Sequence, residues 1–530
     1  LYTGITDCGA GGLSSAVGEM ASELGADVEL SEVRLKYPGL APWEIWLSEA
    51  QERMVLAVSP EKLSVLAELC EANDVEYCDL GFFTGSGHLV VRFGGKTILD
   101  LDCGFLHKGM PRRRMRAAPP AQTVGEGRLR LLPESGTPGL SELFPMIMGH
   151  HALSSKDWAI RRYDHEVQGA TLLGPFAGPD QAGPSDAAVA VPLETGLKRG
   201  VAISNGFNPR YGEADSYNAA ASALDEAVRN AVAVGADPDR IAVMDNFCWG
   251  DPLKPENLWT LLRAAKACKD AAVAHRTPFV SGKDSFNNEF EGSDGEKIAV
   301  PPSLLISAMG IVPELAAVRG SDLKHEDSLL YLVGEFSPLY EASVLMDILE
   351  HRPGRAAPKF SAAAPVVYRV FHKALKAGLV EACHDISEGG LGAAVAEMCI
   401  ASGLGAHIEL RALAASFADT EKAEGEGSVV SPESPAGQAL LLFGETNGCI
   451  VAEVAKDKAS AFEHCFAGLP LARIGGTAHE NVLRISLGEK EIASASLREL
   501  RRAYLRESAE ILGQDEPTGA RGSGANREIQ

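Results

Sequence analysis

At 530 residues the chain is too long for one ordinary core, and about three to four domains are expected. Apolar residues make up 45% and charged residues 23%, the balance of a folded rather than a disordered chain. Acidic residues (72) outnumber basic ones (49), and a net charge of −23 argues against a general nucleic-acid binder or a protein held on an anionic membrane. No apolar run approaches the ~20 residues of a membrane helix, and no charged-then-apolar leader opens the chain. The ten cysteines are scattered without a CxxC pair, so free thiols in a reducing cytoplasm are expected.

Residues 5–30 read ITDCGAGGLSSAVGEMASELGADVEL. Asp7 ends a strand-like run, a Gly turn follows, and an amphipathic segment begins. This pattern suits magnesium–phosphate binding, since Mg needs hard oxygen ligands and glycines let backbone N–H groups approach phosphates. A strand, a turn and a capping Asp would be the plainer reading of one copy alone. Further on, GFFTGSGH (81–88) reads as a hairpin turn rather than a phosphate loop, and LVVRFGGK (89–96) as a second hairpin. The stretch 111–140 opens with PRRRMR and is rich in Pro and Gly, which marks a linker. His150-His151 and His165 lack partners at metal-ligand spacing and are expected at the surface or packed.

Next along the chain, Asp186 lies in GPSDAAVAV, and Ala219–Val234 has helical spacing with Leu224, Val228 and Val232 on one face. On that helix Glu226 and Asn230, four apart, point the same way. They form either a solvated polar face or, with Asp186 and Asp385, a metal site. Ile241–Met244 and Pro278–Val280 read as short strands, each followed by a polar loop. Asp245 and Asn246 follow the first; Gly282, Lys283, Asp284 and Ser285 follow the second. Two such loops suggest ligand binding at one sheet edge. No GxxxxGK[ST] occurs, which excludes a Walker-type NTPase.

Residues 383–410, CHDISEGGLGAAVAEMCIASGLGAHIEL, repeat the opening motif. Asp7 matches Asp385, Gly11-Gly12-Leu13 matches Gly389-Gly390-Leu391, and Glu19-Met20 matches Glu397-Met398. Glu49-Ala50-Gln51 parallels Glu445-Thr446-Asn447, and LVVRFGGK parallels LRISLGEK (483–490). The expected organisation is α/β, with a domain of one type at 1–110, a linker at 111–150, a different domain at 151–320, a second copy of the first type at 321–505 and a disordered tail at 506–530. Duplication predicts a further domain of about 220 residues before Leu1, and an exposed apolar face on 151–320.

Six stretches, TDCGAGGLSSAVGEM, LSEAQERM (47–54), RYDHEVQGAT (162–171), DNFCWGDPLKPE, HDISEGGLGAAVAEM and FGETNG (443–448), resemble the formylglycinamidine ribonucleotide synthase family. The resemblance runs from about Gly4 to Arg502. It implies a duplicated aminoimidazole-ribonucleotide-synthetase-like architecture, here with one N-type and two C-type domains. It also implies an ATP- and Mg2+-dependent ligase of purine biosynthesis in the cytoplasm. That reaction turns formylglycinamide ribonucleotide, ATP and glutamine-derived ammonia into formylglycinamidine ribonucleotide, ADP and phosphate. By the same resemblance Asp7 is a magnesium ligand, Glu49, Ala50 and Gln51 bind substrate with Ser285, and Asp245 and Gly282 contact ATP. Lys283 stands where small forms carry a metal-binding Asn; a protonated Lys cannot ligate Mg2+, so Asp284 is the expected substitute. Asp186, Glu226, Asn230 and Asp385 resemble the metal ligands of a second, structural nucleotide site, with Ser387 near its phosphates. The family's catalytic His falls in the domain expected upstream, so no catalytic residue is assigned and the chain alone is expected to be inactive. A separate glutaminase subunit and a small bridging subunit are the implied partners. Two other readings stay open: another ATP-dependent member of the superfamily, and a non-catalytic nucleotide-binding scaffold.

Overall fold

The computed structural model describes residues 1–120, 138–162, 166–350, 354, 356–415 and 431–512. The chain divides into two compact units, Leu1–Arg114 and Met115–Gln530.

In the first unit a four-stranded sheet has the order Gly81–Phe83, Ala26–Glu29, His88–Phe93, Lys96–Asp102, and Tyr2–Asp7 pairs antiparallel with Met54–Val58. Its core is small: Leu13, Ala16 and Val17 of the helix Leu13–Met20 pack with Val28, Leu30, Ile45, Leu89 and Val91. The expected hairpin at 81–88 is corrected. Gly81–Phe83 and His88–Phe93 do not pair; Ala26–Glu29 lies between them, antiparallel to the first and parallel to the second. Residues 84–87 are therefore a crossover, because strand pairing, not turn composition, decides which strands become neighbours. The hairpin at 89–96 forms as expected.

The second unit holds two larger sheets. A six-stranded sheet has the order Phe279–Ser285, Ile241–Cys248, Ser303–Val312, Gly200–Gly206, Ala188–Ala190, Thr171–Leu173. A seven-stranded sheet has the order Ala382–Asp385, Ile450–Val454, Leu329–Val333, Leu471–Ala478, Gly405–Glu409, Val482–Leu487, Lys490–Ser496. Every residue of Leu329–Val333 is buried. Because side chains alternate along a strand, Leu330 and Leu332 enter one core with the helices Gly390–Ser402 and Pro435–Phe443. Leu329, Tyr331 and Val333 enter another, shared with the helices Ser216–Ala233 and Pro255–His275 that cover the six-stranded sheet. Asp215 caps Ser216–Ala233, accepting from Tyr217 N and Asn218 N. That helix is rich in Ala on its buried side, which allows close approach to the sheet.

The opposite face of the six-stranded sheet is open. Ile203 and Met309, paired across neighbouring strands, and Met244 are exposed there.

The repeat holds at the level of pairing and of single hydrogen bonds. Tyr2–Asp7 with Met54–Val58 matches Ala382–Asp385 with Ile450–Val454, both antiparallel. Ala26–Glu29 with His88–Phe93 matches Gly405–Glu409 with Val482–Leu487, both parallel. Glu29 accepts from Gly94 N at 2.9 Å, and Glu409 from Gly488 N at 2.8 Å. Leu329–Val333, which joins the two halves of the seven-stranded sheet, has no counterpart among residues 1–114.

Two further expectations are corrected. The stretch 111–150 is not linker throughout: Leu140–Met148 is a helix whose Leu143, Phe144, Ile147 and Met148 are fully buried. Its apolar residues recur at helical spacing, and the surrounding Gly and Pro obscured them. The tail expected from 506 begins with a helix, Arg506–Leu512, held by buried Ala509 and by Glu507, which pairs with Lys156 at 2.6 Å. Residues 121–137 and 513–530 lie outside the described residues, as does His165. No helix among the described residues is long and apolar enough to cross a membrane.

Phe144 meets Phe443 edge to face, with ring centroids 4.9 Å apart. Phe144→Ala should therefore cost about 3–5 kcal/mol, read as a lowered midpoint in urea unfolding. A change below about 1 kcal/mol would return this helix to the status of a linker.

Candidate functional site

In the second unit, one buried cluster gathers side chains from three separate stretches. Asp186 precedes the strand Ala188–Ala190, and Glu226, Arg229 and Asn230 lie on the helix Ser216–Ala233. His384 and Asp385 end the strand Ala382–Asp385, and Ser387 and Glu388 lie in the turn into the helix Gly390–Ser402. Gly389 and Gly390 both have positive φ, and a Cβ on Gly390 would strike the carbonyl of Gly444. Glycine is thus required where strand turns into helix.

Arg229 is fully buried between two carboxylates. It pairs with Asp225 four residues earlier, and its Nη2 lies 3.1 Å from Asp385 Oδ2. Asp225 also accepts from the Tyr368 hydroxyl at 2.8 Å and from Gly448 N at 3.0 Å. These contacts explain why Asp225 stays below the usual carboxylate range: burial pushes it up, and Arg229 with its other partners more than offsets this.

The other carboxylates are less fully compensated: Arg229 pulls on Asp385 and Arg210 on Glu388, but burial outweighs both. Burial, then the charges of Glu388 and Asp385, pushes Glu226 well up. Asp385 is raised to about 6, chiefly by burial against the opposing pull of Arg229, and Glu388 to about 7, again chiefly by burial. Asn230 Oδ1 is buried without a hydrogen-bond partner, while its Nδ2 donates to Asn205 O at 3.2 Å. Buried hard oxygens short of positive charge, beside an orphaned amide oxygen, fit a divalent cation of the Mg2+ type. The solvated-face reading of Glu226 and Asn230 fails, because neither is exposed.

Asp186, His384 and Asp385 offer ligand atoms within 4.8 Å of one another. His384, however, is occupied at both nitrogens: Nδ1 lies 2.6 Å from Asp186 Oδ1 and Nε2 3.0 Å from Glu397 Oε2. Burial opposes its charge, but the two carboxylates prevail and hold it well above the ordinary His range. A doubly engaged imidazolium has no lone pair to give a metal, so His384 positions Asp186 instead. The sequence reading missed both His384 and Glu388. Setting the repeats side by side would have exposed them, because Thr6 and Ala10 stand in their places.

In the first unit Asp7 and Glu49-Ala50-Gln51 come together at the surface. Gly11 N donates to Glu49 Oε1 at 3.1 Å, and Cys8 N to Arg53 O at 2.9 Å. Arg53 clasps this loop through the carbonyls of Ser48 and Ala50.

Asp245, Gly282, Asp284 and Ser285 lie inside paired strands, not in loops after them. Asp245 is opposite Gly282, and Cys248 opposite Ser285, in a parallel pair. Strand alternation puts Asp245 and Asp284 on the helix-covered face, and Lys283 and Ser285 on the other. Burial, then the Asp284 charge, raises Asp245 above its ordinary value. A side chain at Gly282 would collide with the Asp245 carboxylate.

Removing Arg229 would leave Asp225 and Asp385 buried without their common partner. Arg229→Met is expected to cost about 3–5 kcal/mol, measured by denaturant unfolding at pH 7. A loss under about 1 kcal/mol would show that the carboxylates find other compensation.

Two family models match the chain. The C-terminal domain of AIR synthase related proteins matches residues 1–94 and 342–487, and the N-terminal domain matches 184–312. The phosphoribosylformylglycinamidine synthase subunit PurL of Anaeromyxobacter sp. (strain Fw109-5) is 31% identical over 485 residues, 89% of this chain and 59% of that protein. The same subunit of Deinococcus radiodurans is 30% identical over 523 residues, 97% of this chain and 66% of that protein. The chain thus spans about three-fifths of the length of the relatives it matches. Among solved structures, Thermotoga maritima PurL complexed with ATP shares the fold, with a TM-score of 0.55 and 20% identity over 90% of this chain and 64% of that one. The same protein complexed with FGAR gives 0.52 at 20% identity, over 90% of this chain and 62% of that one. The chain belongs to the AIR synthase related family, in its phosphoribosylformylglycinamidine synthase subunit PurL branch.

Proposed function

We propose that the chain serves the ATP-dependent ligase step of purine biosynthesis in which formylglycinamide ribonucleotide, ATP and ammonia give formylglycinamidine ribonucleotide, ADP and phosphate. Relatives named for this activity and solved relatives titled as complexes with ATP and FGAR support the reading. The observation that carries it is the cluster of Asp186, Glu226, Asn230 and Asp385, in which burial outweighs the pull of Arg229 on Asp385, Glu226 joins no ion pair among the described residues, and Asn230 Oδ1 has no hydrogen-bond partner.

In this reading those four residues hold Mg2+, and the turn at Ser387 receives nucleotide phosphates. A bound magnesium would neutralise phosphate charge at this second, structural site. Arg229 keeps the Asp385 carboxylate oriented from one side, leaving Oδ1 for the cation. His384 fixes Asp186. In the first unit Asp7 is a magnesium ligand of the catalytic half, and Glu49, Ala50 and Gln51 are substrate-binding residues; in the second unit Ser285 is a substrate contact. Asp245 and Gly282 contact ATP, and Asp284 is the substitute metal ligand. No catalytic base is assigned within the chain. Ammonia comes from a separate glutaminase subunit, joined through a small bridging subunit, in the cytoplasm.

Titration calorimetry with Mg-ATP tests the assignment of the two repeated aspartates. Asp385→Asn should weaken Mg-ATP binding about tenfold or more, whereas Asp7→Asn should leave the affinity at the Asp385 site within about twofold. Unchanged affinity in a folded Asp385→Asn variant would overturn the reading.

A further inference from the structure

The two copies of the repeat carry the same carboxylate in the same bond, yet only one copy leaves it available. Gly11 N donates to Glu49 Oε1 at 3.1 Å, and Gly389 N to Glu445 Oε1 at 3.0 Å. The following glycine is pinned in the same way in both: a Cβ on Gly12 would meet the Ser48 carbonyl, and one on Gly390 the Gly444 carbonyl. Glu49 and Glu445 are therefore equivalent by geometry as well as by sequence order.

Their surroundings differ. Glu49 is exposed, and among the described residues of the first unit its second oxygen accepts no hydrogen bond. Glu445 is fully buried. Its Oε1 also accepts from Val344 N at 2.8 Å, and its Oε2 accepts from the Tyr211 hydroxyl at 2.6 Å. Arg210 adds charge at 3.9 Å. Tyr211 is brought there by the helix Pro209–Ala214, whose cap Asn208 accepts from Tyr211 N and donates to Glu388 at 3.1 Å. The segment that delivers the hydroxyl is thus tied to the edge of the carboxylate cluster.

We propose that Tyr211 is a specificity-determining residue that closes the second copy of the site to hydroxyl-bearing ligands, its phenol taking the place at Glu445 that a sugar hydroxyl takes at Glu49. A carboxylate accepts a hydroxyl in much the same way whether it comes from a ligand or from the chain. Once Oε2 is filled from within, the second copy keeps its cation and phosphate positions but loses the position that would select a ribose. This rests on the proposed readings of the Asp186–Asp385 cluster as a cation site and of Glu49 as a substrate contact, and it explains how two copies of one motif take different ligands.

The test uses the full 530-residue chain, with ribose 5-phosphate and Mn2+ as separate calorimetric probes. Tyr211→Ala clears the position, and Tyr211→Leu clears the outer ring and hydroxyl while keeping apolar packing. Each variant that retains cooperative melting and Mn2+ binding should gain one equivalent of ribose 5-phosphate, bound at least about tenfold tighter than any such site in the native chain. A folded, Mn2+-binding variant without the added equivalent would overturn the proposal and leave Tyr211 a packing residue. Absence of Mn2+ binding in the native chain would count against the cation-site reading instead. Crystals of the native chain soaked in ribose 5-phosphate give a reading that needs no variant. The Tyr211 hydroxyl should remain on Glu445, and a sugar hydroxyl found there would refute the closure.

Discussion

Burying carboxylates is costly unless each finds a partner, and the second unit is arranged around that constraint. Arg229 is the hinge of the arrangement. Carried on a helix that covers the six-stranded sheet, it reaches the end of a strand in the seven-stranded sheet and binds Asp385, while its own helix supplies Asp225 on the other side. One cation therefore serves two carboxylates and joins two layers. Elsewhere compensation is only partial: His384 serves Asp186 and Glu397, and Arg210 pulls on Glu388. Asp385 and Glu388 stay raised, Glu226 more so, and Asn230 Oδ1 has no partner. A network satisfied on one side and deficient on the other has the form of a ligand site rather than of a structural ion pair.

Duplication supplies the frame for this asymmetry. Both copies place an Asp at a strand end, a glycine turn after it and a helix beyond, and both anchor a Glu on the first glycine of the turn. What distinguishes them is added from outside the motif. The 151–320 region contributes Asp186, Glu226 and Asn230 to the second copy, and with them Tyr211, which takes up the anchored Glu. In the proposed reading the motif fixes where phosphates and cations sit, while the neighbouring domain decides which ligand enters.

Much of this was legible in the amino-acid order. Asp385, Glu226, Asn230 and Asp186, far apart in the chain, were expected together and lie around one cluster, and the repeat set side by side segments that form corresponding strands in the two copies. Other features were not legible for identifiable reasons. His384 and Glu388 sit at positions the repeat does not share, so a search for shared residues passes over them. Asp245 and Ser285 looked like neighbours in two loops, but strand alternation sends them to opposite faces of a sheet. The crossover at residues 84–87 has the composition of a hairpin turn, and only the placement of Ala26–Glu29 reveals otherwise. The helix Leu140–Met148 has apolar periodicity, yet Gly139 and Pro145 gave it the look of a linker.

The central claim is that the deficient side of the Arg229 network holds a divalent cation. Anomalous diffraction from crystals grown with Mn2+ tests it most directly. The account predicts one strong peak bounded by oxygens of Asp186, Glu226, Asn230 and Asp385, with Arg229 still on the far side of Asp385 and His384 still bonded to Asp186 and Glu397. A cluster without a peak at saturating Mn2+, or a peak ligated by His384 with Asp186 released, would contradict it.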